Sequence, residues 1–161
     1  MFLESKKLEN KYIMTLHHFI LIIHLLAATI WVGGHLLLAI CYLPTALKKK
    51  DPKIILNFEK KFETLGMSSL VLLIVTGIWM AYDFGVTIET WFHFKSGFEK
   101  VVSLKLILLF CTFICAVCAQ FYIIPNLNEN NIKKIAIIIL TVTLTGVTML
   151  ILGSTLRYGG I

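Results

Sequence analysis

The chain has 161 residues, 58% hydrophobic and only 15% charged, with a formal net charge of +6. Soluble domains run at roughly 45–50% apolar and about 25% charged, so one domain of this length could not hide so much apolar surface from water. The same composition excludes a disordered chain, a nucleic-acid module of the basic-surface type and a disulfide scaffold.

A hydrocarbon core about 30 Å thick takes roughly 20 helical residues to cross, and four segments qualify: 17–43, 65–84, 101–124 and 132–156. The first is preceded by Lys6, Lys7 and Lys11 and is expected to end at Pro44. Its apolar run is too long for a signal-peptide core and no small-residue cleavage site follows, so it is expected to be retained. It carries four of the five histidines: His17, His18, His24 and His35. At 100° per residue His17, His24 and His35 fall within about 20° of one another, while His18 points elsewhere. Ala28 and Trp31 share the histidine face. Along the axis, His17 to His24 is ~10 Å and His24 to His35 ~16 Å. No two of them can hold one metal ion, and each must find its partners on other helices.

The stretch 45–64 holds Lys48, Lys49, Lys50, Lys53, Lys60 and Lys61, with Phe58 and Phe62 at helical spacing, and is expected to form a loop with a short interfacial helix. After the second span, Trp91, Phe92, Phe94 and Phe98 read as an aromatic belt at the membrane interface, with His93 among them. The third span holds Lys105, and Thr112 and Gln120 lie within about 60° of it. Cys111, Cys115 and Cys118 share a roughly opposite face, either as packing groups or, with Cys41, as a soft path for Cu(I). Lys133 and Lys134 lead into the fourth span, where Thr141, Thr145, Thr148 and Thr155 form a stripe that ends at Arg157.

Asp83, at the very end of the second, is the sole Asp or Glu in the four spans, and backbone groups in lipid must be satisfied within the segment. The expectation is an all-α, integral-membrane four-helix bundle forming a single domain over 1–161. Lysine concentrates in the first and third loops, so the positive-inside rule puts those in the cytoplasm and both termini outside. The setting this implies is a bacterial-type inner (cytoplasmic) membrane.

Ionisable side chains inside a bilayer are costly and mark function by default. Separated histidines suit haem b, because a planar macrocycle takes axial ligands from different helices. Ala27, Ala28, Gly33 and Gly34 are small enough to let it approach. The candidate cofactor residues are His24, His35 and His93, with Lys105 and Arg157 as cations for propionates or for an anionic substrate. The metal-ligating candidates are His24, His35, His17 and His18. Copper transport or delivery through histidine and cysteine is the alternative, although the methionines are scattered rather than clustered. A third option is a non-catalytic subunit whose histidines only hold helices together. With no acid–base pair, Walker loop or nucleophile constellation, the enzymatic option is a membrane oxidoreductase whose catalytic residues the sequence does not name. The expected partners are the lipid bilayer and a second copy or a redox partner, with no nucleic acid.

The run His24-Leu25-Leu26-Ala27-Ala28-Thr29-Ile30-Trp31-Val32-Gly33-Gly34, with Leu43-Pro44 beyond it, resembles the first helix of copper resistance protein D domains. It is also similar to the His-x6-Trp-x2-Gly pattern of HemJ-type protoporphyrinogen oxidases. Leu104-Lys105-Leu106 resembles the Leu-Lys-Leu opening the corresponding third helix there. The resemblance covers four spans. It implies that His24 is the family's intramembrane histidine and Lys105 its intramembrane lysine. The HemJ-like side implies haem b and porphyrinogen oxidation, and the other side implies copper handling. The longer stretch from Gly34 to Pro44 and the extra histidine, His35, favour the copper-resistance-D branch.

Overall fold

The computed structural model describes residues 2–129 and 131–161, with side chains from Tyr12 onward, Ile13 excepted. The side chains of Lys6, Lys7 and Lys11 lie outside that set. Among the described residues there is no strand, and five α-helices carry the fold: α1 (Phe2–Leu37), α2 (Leu43–Lys49), α3 (Lys53–Asp83), α4 (Gly97–Cys118) and α5 (Ile132–Thr155). With short π and 3-10 turns they form four rods long and apolar enough to span a membrane, Met14–Lys49, Lys53–Asp83, Gly97–Asn126 and Ile132–Tyr158. The chain is an all-α bundle of the multi-pass membrane type.

Pro44 does not end the first rod. α1 widens into a π-turn at Leu38–Tyr42, where the Leu43 N–H donates to the Leu38 carbonyl, and α2 then starts with Pro44 in its first turn. A proline has no N–H and its ring crowds the carbonyl four residues back. The wider turn relieves that crowding and lets the axis run on. The device recurs at Ala119–Ile123 ahead of Pro125, with the Ile124 N–H donating to the Ala119 carbonyl. Helical structure therefore passes the expected ends at 43 and 124.

The expected loop 45–64 is also helical. It consists of α2, a tight turn in which Lys50 takes a left-handed φ of 51°, and the first turns of α3. At 1.5 Å per residue α3 is about 46 Å long, well beyond a 30 Å core. Its lysine-bearing start can project past the hydrocarbon without a separate interfacial element.

α1 and α3 pack antiparallel in a seven-residue register. His17 pairs with Asp83 and His24 with Thr76, and the same step leads to Trp31 and Ser69, both buried. A seven-residue repeat is that of left-handed coiled-coil packing. The histidine face read from the sequence is thus the α1–α3 seam. α4 packs on α5 and α5 on α1, whereas α3 and α4, consecutive in sequence, share no comparable seam. Buried Leu38, Ile55, Ile135 and Ile139 make a core at the lysine-rich end, and Trp31, Val32 and Val142 one nearer the middle.

The opposite end is tied by polar caps. Ser96 and Glu99 form a capping box at the start of α4. Ser103, fully buried, donates to the Glu99 carbonyl at 2.6 Å and accepts from the Phe92 N–H at 3.1 Å. Gly97 meets Gly159 and Gly160 backbone to backbone, and φ values of 92° and 94° at that pair need glycine.

Candidate functional site

His24 sits in the seam between α1 and α3. Thr76 of α3 donates its single hydroxyl proton to the Leu72 carbonyl at 2.5 Å. Its oxygen can therefore only accept from His24 Nδ1, 2.7 Å away. The proton of the neutral ring is placed on Nδ1 by this network, leaving the Nε2 lone pair bare. The ring packs on Gly77, where an added Cβ would stand 3.4 Å from Cε1. Lys105 approaches from α4, within electrostatic reach of His24. Its Nζ lies over Gly153 of α5, 3.1 Å from where a Cβ would be. The ion pair recorded among the described residues is His17–Asp83, and it leaves Lys105 without a carboxylate.

His35 repeats the arrangement toward the lysine-rich end. Nδ1 lies 2.8 Å from the Trp31 carbonyl, which can only accept, so Nε2 is again the bare nitrogen. The ring lies 4.7 Å from that of Trp31 and 6.1 Å, edge-on, from Phe62. Thr143 of α5 donates to the Ile139 carbonyl at 2.7 Å and lies 3.3 Å from the His35 carbonyl. His35 borders a cavity of about 360 Å³ between α1, α3, α4 and α5. The one fully buried side-chain polar atom lacking a partner among the described residues is Trp91 Nε1. Nε2 of His24 and of His35 accordingly keep open surface.

The other expected site residues do not join these centres. His17 is bound to Asp83, with the rings of Trp79 and Phe84 beside it. His18 is exposed on the outside of α1. His93 is exposed in the α3–α4 loop between Phe92 and Phe94, whose φ values are 65° and 56°. Arg157 is exposed one turn past Gly153.

Of the small residues of α1 expected to give room, Gly33 faces open space, and the room at the other three is already used. The Phe62 ring fills the space above Gly34 and also packs on Gly66, while Ala27 and Ala28 are buried. Cys115 packs beside the Trp31 cluster. Thr145, Thr148 and Thr155 donate to carbonyls of their own helix.

Sequence reasoning missed Thr76, Gly77, Asp83, Phe62 and Gly153. The signal that would have found two of them, Asp83 and Thr76, is the matching seven-residue step, 17-24-31 on α1 against 83-76-69 on α3. Among the described residues no three of His, Cys, Asp or Glu converge on one point. Compared with protein-family models, curated proteins and solved structures, the chain matches none.

Proposed function

We propose that this chain is a haem-b-binding redox protein of the membrane, with His24 as axial ligand and His35 as the second candidate. One observation carries the reading: each interior histidine stands alone, its Nδ1 hydrogen-bonded to an oxygen inside the bundle and its Nε2 bare. That is the arrangement of a ligating histidine, whose other ring nitrogen is fixed by an outer oxygen.

An ion held by protein side chains alone takes three or four of them, and no such donor set is found among the described residues. A macrocycle brings its own equatorial nitrogens and asks the protein for one or two axial ligands. The donor set therefore fits haem better than it fits copper. Haem, when bound, supplies reversible one-electron chemistry tuned by its axial ligands. Thr76 would orient His24 and raise its basicity, and Lys105 would hold a carboxylate of the bound group. The meeting of His24 and Lys105 supports placing the chain with the copper-resistance-D and HemJ-type proteins. Lysines at the α2–α3 turn and at the start of α5 support a cytoplasmic position for that end of an inner-membrane protein.

The test is the absorption spectrum of detergent-purified protein after haem supplementation. A Soret band that His24→Ala abolishes is expected, and its absence from the wild type would overturn the reading.

A further inference from the structure

We infer that the cavity beside His35 is a docking site for a lipid-borne quinol, with a ring hydroxyl donating to His35 Nε2. This deepens the haem reading, on which its redox sense rests, while binding itself needs no haem.

Four observations select the ligand class. The cavity lies at the α3–α4 side of the bundle, where the two helices share no extensive seam, so a molecule dissolved in the bilayer can enter sideways. Trp31 and Phe62 flank His35 and offer aromatic surfaces to a flat ring. Two polar groups line it: the ring of His35, whose Nε2 is bare, and the Gln120 side chain on the π-turn that follows α4. A ring carrying two hydroxyls can serve a bare acceptor and an amide at once. A volume of about 360 Å³ is near the lower limit of ligand pockets, roughly 300–1,000 Å³, and suits a single ring with the start of its tail.

The binding probe is tetramethylhydroquinone, titrated calorimetrically into the protein in nanodiscs, with empty nanodiscs as blank. Its dimethyl ether, which has no donor, serves as the control. Saturable binding by the wild type is expected, with the ether about tenfold weaker, the worth of one hydrogen bond. His35→Phe, which keeps a ring and removes the acceptor, should erase the difference between the two probes. Ala116 lines the cavity and is exposed. Ala116→Phe should therefore fill the space without loading the packed core, and abolish binding.

No saturable binding, equal binding of the ether, or binding untouched by Ala116→Phe would each overturn the site. So would loss of the Soret band in His35→Phe, since that histidine would then belong to the haem. Saturable binding by a protein with no Soret band would support the docking site and overturn the haem reading alone.

Discussion

A neutral histidine can bind iron only through the ring nitrogen without a proton, and hydroxyl geometry at Thr76 makes that choice for His24. Thr76 spends its proton on Leu72 and is left as a pure acceptor. Thr76→Val keeps the branched shape and deletes the acceptor, stranding the Nδ1 proton at a cost of about 1–3 kcal/mol. Haem affinity is expected to fall roughly 10–100-fold, as for other lost outer partners of a ligand, which a haem titration will read. Lys105→Met is expected to weaken haem binding about tenfold, one charge-assisted contact, while leaving the Soret position unchanged. A shifted band would instead make Lys105 a ligand. His24 and Lys105 could be singled out from the sequence because ionisable groups are expensive in lipid. Thr76 could not, since a threonine in an apolar helix says nothing until its neighbours are known.

Among the elements, the prolines and glycines act through shape. Pro44 and Pro125 each follow a π-turn, so both rods pass through positions that a sequence reading takes as stops. Gly34 acts in the reverse way, for its missing Cβ is the space that Phe62 occupies. Gly34→Ala is expected to cost about 1–3 kcal/mol by overpacking. Phe62→Leu in the same background should restore most of it in a thermal unfolding assay. Ser96→Ala removes one half of the capping box at α4 and should cost about 1 kcal/mol, read in the same assay.

At the scale of the whole molecule, the four rods put both termini and the α3–α4 loop at one end and the lysine-rich turns at the other. Lysine bias orients such a bundle in the membrane. With the native cysteines replaced by serine, Tyr158→Cys on intact cells should react with an impermeant maleimide. Lys48→Cys should react only after permeabilisation, and the reverse pattern would invert the topology.

The number of spans, their class and the shared histidine face were legible along the chain, because the free energy of placing a residue in lipid adds up locally. Only tertiary structure decided which partner each polar side chain meets. The pairs His17–Asp83 and His24–Thr76, the filling of the Gly34 space by Phe62 and the gap between α3 and α4 all depend on the register of one helix against another. Register is a property of two packed surfaces at once, and no single helix encodes it.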